Sequence, residues 1–454
     1  MSAGAGKPST IGERRRARRL AIWNGAIWAL GNGLASTTLI VYLARELHSE
    51  RLGLGIGLIL AAPQLVGLLR VATPALIQNQ SRKTFCLASF LLSAICLAGL
   101  PWLCRPGQLP SPGWSLAALV TLWCVYHLLQ YLAMVALWTW LGDMARVRIR
   151  GRFFGRRERW MVAATAAATV AAGLFVWGTR HYGDDRSGWL PYAVMAALGA
   201  LMMLAALVPL SLAPSLSSSL SGRDRNLVRA HRPLVAKRLP PLRNRNFLMF
   251  LLFGCWFSFF NGITQSAQDY FSMQVLGVSL LLSQTLRTGM RLGQGGVSRS
   301  LGAMADRLGN RPVMITCQCL VAAGLACLAA ATPERWYWIL GAWALWIAYA
   351  GLNIAMPNLL LQLAPPGKES AYVATFEGVR GVFYAASTVL GGFLVDRFRD
   401  SSLALFGGGL PFFAALFLFG AVLRGLGVLL LLPVKEPLPV GTALPARSAK
   451  TAER

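Results

Sequence analysis

Long apolar stretches recur along this chain, separated by short polar segments. Twelve of them, at 21–44, 53–77, 85–104, 115–141, 159–178, 190–212, 247–271, 277–301, 312–332, 337–363, 371–396 and 410–433, can each cross a hydrocarbon layer of about 30 Å as a helix. None alternates polar and apolar residues in the units of about ten that a membrane barrel strand would need. In lipid a helix satisfies its own backbone N–H and C=O groups. The pattern predicts an all-α polytopic membrane protein of about twelve transmembrane helices.

The polar punctuation is uneven. Residues 213–246 open Ser-rich, from Ser215 to Ser221, and turn basic with Arg223, Arg225, Arg229, Arg232, Lys237, Arg238, Arg243 and Arg245. This stretch divides six helices from six and reads as a linker. The predicted organisation is a tail at 1–20, a lobe at 21–212, the linker at 213–246, a second lobe at 247–434 and a tail at 435–454. Asn32-Gly33 in the first helix recurs 229 residues later as Asn261-Gly262. PALIQNQSRK from Pro74, after the second helix, corresponds to GAMADRLGNRP from Gly302, 228 residues later. Two landmarks at nearly one offset predict a parallel duplication into two pseudo-symmetric six-helix lobes.

Composition agrees, with 55% hydrophobic and only 13% charged residues, too little charge to cover a soluble surface. The net charge of +27 raises nucleic-acid binding as an alternative. Its distribution argues against that. Of the 44 Lys and Arg residues, 31 fall in the N-terminal tail, every second loop with its bordering helix edges (Arg159 and Arg299 included) and the C-terminal tail, against 8 in the loops between. This is the positive-inside bias. It predicts both termini in the cytoplasm and basic loops facing anionic lipid. The first apolar stretch follows the basic run Arg14–Arg19 but is too long for the core of a signal peptide. The sequence fits a multi-pass protein of a bacterial inner membrane. The eight cysteines lie in or beside the helices with no histidine at ligand spacing, so no metal site, cofactor or disulfide framework is expected. No nucleophile–base set and no phosphate-binding Gly-Lys loop points to an enzyme or an ATP-driven pump.

The loop Gly302-Ala303-Met304-Ala305-Asp306-Arg307-Leu308-Gly309-Asn310-Arg311 resembles the G-x-L-A-D-R-x-G-R-R signature of the major facilitator superfamily. In that family the signature follows the second and eighth helices. At the first site Pro74 replaces the Gly and Gln78 the Asp, while Ser81, Arg82 and Lys83 keep the small and basic end. Gly142-Asp143 and the run Arg150 to Arg157 resemble a basic loop of many members. The resemblance implies a gating loop of Gly302, Asp306, Arg307, Gly309 and Arg311, with Asp143 or Glu158 as partners across the lobes. Anchoring of the loop by its arginines is the alternative.

The family fold also implies a cavity lined by the first, fourth, seventh and tenth helices. Polar residues form one face on each. They are Asn24, Trp28 and Asn32; Trp123, His127 and Gln130; Asn261, Gln265 and Gln268; Trp346, Tyr349 and Asn353. Spacing of three to four residues aligns each set, and polar groups in a span usually face an interior or water. Hydrogen-bonded glue between helices is the alternative. Amides and aromatics suit an uncharged or weakly charged organic solute, polyhydroxylated or aromatic. Arg287 and Arg291 on the eighth helix, and Glu377 and Arg380 on the eleventh, are candidate buried or coupling charges. They could be structural, carry coupling protons or help bind an anion. His127 is the one histidine inside a span and a second coupling candidate.

The leading expectation is a monomeric secondary transporter that moves a small solute by alternating access, with a proton or cation as candidate coupling ion. The alternative is a non-transporting relative, an assembly factor or sensor, which the degraded first signature favours.

Overall fold

The computed structural model describes residues 11–69, 81–144, 147–182, 188–213, 241–365, 368–405 and 408–436. The first signature loop from Pro74 to Gln80, most of the linker, the first ten residues and the tail after Glu436 lie outside them.

The first lobe holds α1 (Ile11–Leu34), α2 (Thr37–Arg45), α3 (Leu52–Gly67), α4 (Arg82–Leu103), α5 (Pro112–Met144), α6 (Val147–Tyr182), α7 (Leu190–Ala205) and α8 (Leu207–Leu212). The second holds α9 (Arg245–Tyr270), α10 (Leu280–Leu308), α11 (Asn310–Ala329), α12 (Trp338–Leu345), α13 (Tyr349–Leu363), α14 (Glu369–Phe398), α15 (Phe412–Leu426) and α16 (Val428–Leu431). Several pairs are pieces of one span: α1 with α2, α7 with α8, α12 with α13 and α15 with α16. Twelve helical columns result. Ten are long and apolar enough to cross a membrane, and α3 is a shorter apolar helix. The remaining column, α10, carries Gln284, Arg287, Arg291, Gln294 and Arg299; it spans by its place in the bundle. A short hairpin of β1 (Ser402–Leu405) and β2 (Gly408–Pro411) precedes α15, a small addition to the helical expectation.

Packing repeats between the lobes. α1 packs along α6 and α7, and α9 along α14 and α15. α4 packs on α5 and α7; α11 packs on α12, α13 and α15 in the matching way. The lobes meet through α3 on α14 and α10 on α6, again a symmetric pair. The duplicated Asn-Gly landmark has a packing reason. A Cβ on Gly33 would lie 2.7 Å from the Ala168 Cβ and 2.8 Å from the Thr165 carbonyl of α6. A Cβ on Gly262 would lie 2.6 Å from the Tyr384 carbonyl of α14. Each glycine lets two backbones approach closely at equivalent places.

The cores are apolar and aromatic, as where Phe250 and Phe376 stack at 4.9 Å. The periphery is also apolar, with Leu91, Leu92, Ile95, Leu174, Phe419 and Val422 exposed. Only lipid suits such a surface.

Candidate functional site: a polar cavity between the lobes

The first helical column breaks where it meets the second lobe. Ala35 ends the α1 ladder, and Ser36 adopts extended backbone, with its Oγ accepting the Leu39 N–H at 3.3 Å as the cap of α2. The sequence predicted one unbroken helix over 21–44. The Ser36 hydroxyl caps the new helix, and such side chains compete with helical hydrogen bonding.

A cavity of about 330 Å³ opens beside this break. Its lining comes from α1 and α2 (Asn32, Ser36, Thr37, Thr38), α3 (Leu60, Pro63), α6 (Thr165, Thr169), α9 (Gln265, Asp269), α10 (Gln284, Arg287, Thr288, Arg291) and α14 (Tyr384). Seven hydroxyls, three amides and three charges converge there. Arg287 Nη2 donates to Asp269 Oδ1 at 2.5 Å, and Gln265 Nε2 donates to Asp269 Oδ2 at 3.5 Å. The Arg287 guanidinium lies 5.6 Å from the Trp343 ring centroid. Arg291, one turn further along α10, makes no hydrogen bond or ion pair among the described residues.

One end of the cavity is sealed. This is the end of the bundle bearing residues 45–52, 270–280 and 398–412. Tyr42 Oη donates to the Val278 carbonyl at 2.6 Å and lies 2.9 Å from Ser283 Oγ. Gln284 Nε2 donates to Ser36 Oγ at 2.6 Å. Asp396 accepts from the Gly53 N–H at 2.7 Å and the Leu54 N–H at 2.8 Å. Thr169 Oγ1 and Thr288 Oγ1 are 3.4 Å apart. All of these bonds join the two lobes. Towards the opposite end, which bears the linker, no lobe-to-lobe hydrogen bond occurs among the described residues, and most of Arg291–Ser300 is exposed.

The sequence-derived residues divide. Asn32 and Gln265 line the cavity, as do Arg287 and Arg291. Asn24, Trp123 and Trp346 do not. Asn24 is buried and donates to the Ala206 carbonyl at 2.8 Å. Trp123 donates to the Ile59 carbonyl at 3.1 Å and Trp346 to the Val321 carbonyl at 3.2 Å. These three are the interhelical glue given as the alternative. Trp28 donates to Gln130 Oε1 at 3.2 Å, and Gln130 Nε2 lies 3.4 Å from Ser93 Oγ, inside the first lobe. Tyr349 donates to Asn261 Oδ1 at 2.9 Å and receives Arg424 Nη2 at 2.5 Å. Gln268 is buried, and Asn353 is exposed on α13. His127 packs edge-on against Trp123 at 4.5 Å and Tyr126 at 5.0 Å, and its Nε2 is buried without a hydrogen-bond partner among the described residues. This cavity is lined by the first, second, fifth, seventh, eighth and eleventh helices; on the fourth and tenth, Trp123, Gln130, Trp346 and Tyr349 bond within their own lobes.

Glu377 pairs with Arg380 on its own helix at 2.6 Å, and neither lines the cavity. Glu377 does not pair with Arg291; Asp269, near the end of α9, is the carboxylate that meets α10.

At the gating loop Gly309 takes φ +95 between α10 and α11, a left-handed conformation that glycine adopts without strain. Glu436 receives the Asn310 N–H at 2.6 Å and the Arg311 N–H at 2.9 Å. Arg311 Nη1 also donates to the Val434 carbonyl at 3.4 Å. Arg311 thus anchors the loop within its lobe. Gly302 lies on α10, while Asp306 and Arg307 are exposed with no ion pair among the described residues. The Asp143 side chain lies outside them.

A family model described as MFS/sugar transport protein matches residues 56–363, and one described as Major Facilitator Superfamily matches residues 288–450. No curated protein matches by sequence search. Among solved structures, the nucleoside transporter NupG is 12% identical over 93% of this chain and 98% of its own, with TM-score 0.64. The inward-open xylose transporter XylE from E. coli is 13% identical over 92% and 96%, with TM-score 0.64. A bacterial homologue of the human drug peptide transporters PepT1 and PepT2 is 15% identical over 93% and 98%, with TM-score 0.60.

Proposed function

Since this chain belongs to the major facilitator superfamily, we propose that it is a secondary active transporter moving a small organic solute by alternating access of its two lobes around the central cavity. One observation carries the reading: a polar cavity lies between the lobes, and every lobe-to-lobe hydrogen bond among the described residues lies in its wall or beyond it at the sealed end, with none towards the linker end. Rocking of two repeats around a fixed midplane site needs this arrangement. The break in the first helical column supports it too, since irregular backbone at membrane depth is tolerated where it lines a cavity.

The basic loops put the linker end, and with it both termini, in the cytoplasm. The conformer then faces inward, with its outer half closed. A bacterial inner membrane and a monomeric chain complete the reading. If a proton couples transport, Asp269 is the candidate carrier. It is the acidic side chain in the lining, and protonation would release Arg287. Glu377 and His127 recede, because neither meets the cavity.

Cysteine labelling tests the cycle. In a background with the eight native cysteines replaced, Gly295→Cys should react with an impermeant thiol reagent from the cytoplasmic face. Thr38→Cys should react from the outer face only when the seal opens. Reaction of both from one face under every condition would end the alternating-access reading. The second reading, a non-transporting sensor or assembly factor, draws on the degraded first signature at Pro74 and Gln78. It predicts solute binding without solute movement in proteoliposomes.

A further inference from the structure

The charge balance of the cavity narrows the solute, given the transporter reading on which this inference rests. Arg287 and Arg291 both line the cavity one helical turn apart. Asp269, the acidic residue in the lining, already holds Arg287 through Oδ1, and its Oδ2 is approached by Gln265. The remaining polar lining groups are hydroxyls and amides. Two guanidinium groups against one carboxylate leave a formal excess of one positive charge, carried by Arg291.

Arg291 is exposed to the open cavity rather than buried in protein. Arg291 does not reach a carboxylate, a carbonyl or an aromatic face among the described residues, whereas Arg287, Arg380 and Arg424 each have such partners. Its position in the cavity wall leaves its N–H donors without a protein partner among the described residues. A planar fork of donors fits a carboxylate or a phosphate better than a neutral hydroxyl. Around it, hydroxyls from both lobes (Ser36, Thr38 and Thr169 on one side, Thr288 and Tyr384 on the other) supply donors and acceptors for a polyhydroxylated body. A volume of about 330 Å³ sits at the small end of the roughly 300–1,000 Å³ range of ligand pockets, which suits a solute of monosaccharide size.

We propose that the solute is a hydroxylated organic anion, a sugar acid or sugar phosphate by chemical class, whose acidic group is held by Arg291. The uncharged solute suggested by amides and aromatics in the sequence gives way, because Trp123 and Trp346 are spent on helix packing and an unpaired arginine takes their place in the wall.

The test is thermal stabilisation of the purified full-length protein by D-glucuronate, D-gluconate and glucose 6-phosphate, with D-glucose as the neutral control. At least one anion should stabilise at concentrations where glucose does not; glucuronate or gluconate acting alone marks a carboxylate site, glucose 6-phosphate alone a phosphate site. Arg291→Gln should weaken that binding about 10- to 100-fold, the range for a charged hydrogen bond. Arg291→Lys should recover part of it, and Arg299→Gln, on the same helix but outside the cavity, should leave it unchanged. Without ligand, Arg291→Gln should melt close to the parent, since no contact of Arg291 within the protein is lost. Stabilisation by glucose equal to that by the anions, stabilisation by none of the anions, unchanged anion binding in Arg291→Gln, or a several-degree fall in its unliganded melting temperature would each overturn the proposal. The labelling of Gly295→Cys and Thr38→Cys decides the transporter reading separately, so the two can fail independently.

Discussion

The carboxylate of Asp396, at the end of α14, caps the first turn of α3 across the lobe interface, taking the Gly53 N–H at 2.7 Å and the Leu54 N–H at 2.8 Å. The first backbone N–H groups of a helix have no partner within it, and the helix dipole favours an anion there. Close approach is a condition of the contact: a Cβ on Gly53 would lie 2.7 Å from the Gly392 carbonyl. The bonds exist only while the lobes are closed at this end. Asp396→Asn should weaken the seal by about 1–3 kcal/mol, shifting the balance towards the opposite conformer by roughly 5- to 100-fold. Gly53→Ala should act in the same direction through the clash. Both variants should raise outer-face labelling of Thr38→Cys; labelling at the parent rate in both would show that the seal does not depend on this cap.

Arg287 and Asp269 should behave as a unit. Either single neutralisation leaves a poorly solvated charge in the cavity wall. Side-chain exposures of 28% and 11% place the pair between surface and core. The expected cost is about 1–3 kcal/mol, below the roughly 3–5 of a fully buried pair. The double variant Asp269→Asn with Arg287→Gln should recover most of the melting temperature but not transport. Additive losses in the double variant would mean the two residues contribute independently.

Glu436 should matter more to the signature loop than Arg307. It closes the N-terminus of α11 with two backbone hydrogen bonds, while Arg307 is exposed. Glu436→Ala should cost about 1–2 kcal/mol, as loss of a helix cap does. Arg307→Gln should stay within about 0.5 kcal/mol. Thermal unfolding of the two variants side by side separates them; equal losses would assign the loop's stability elsewhere.

Asp306 carries a different expectation. Exposed and without an ion pair here, it does not stabilise this conformer. A latch at the linker end, as the family signature implies, would form when the lobes close there. Asp306→Asn should therefore favour the conformer described and slow the return to the opposite one. Identical labelling of Gly295→Cys with and without the substitution would remove Asp306 from the gate.

Hydropathy made the helical fold, the count of columns and the duplication legible, because lipid imposes one solution on the backbone and the Asn-Gly landmarks sit where close packing excludes a Cβ. Helical spacing could align Asn24 with Asn32 but not say which way the helix turns. Asn24 faces a neighbouring carbonyl while Asn32 faces the cavity. The Ser36-Thr37-Thr38 run was visible as composition, but not that Ser36 would cap a new helix and also receive Gln284 from the other lobe. Asp269 and Asp396 were hidden by position, since a carboxylate near a predicted helix end reads as interfacial until the facing helix supplies its partner. Glu436 lay in a stretch read as tail, and only folding brings it to Gly309.

His127 gives the sharpest separation between a sequence-based role and a structural one. As the one histidine within a span it invites a proton-coupling role. Its surroundings do not provide one. Trp123, Tyr126 and Tyr131 ring it with centroid distances of 4.5, 5.0 and 6.2 Å, and Nε2 is buried with no hydrogen-bond partner among the described residues. A proton relay needs a donor and an acceptor within reach of the ring; no carboxylate contacts it among the described residues, and the cavity wall does not include it. The imidazole serves as a packing element that happens to be polar. Replacing it by phenylalanine removes an unsatisfied buried polar atom, which costs about 1–3 kcal/mol where it occurs, at the expense of a slightly larger ring in an aromatic nest. His127→Phe should therefore melt within a few degrees of the parent and keep both transport and its pH profile, while Asp269→Asn should alter that profile. Loss of pH dependence in His127→Phe with an intact melting temperature would return the histidine to the coupling path and place the proton route through the first lobe.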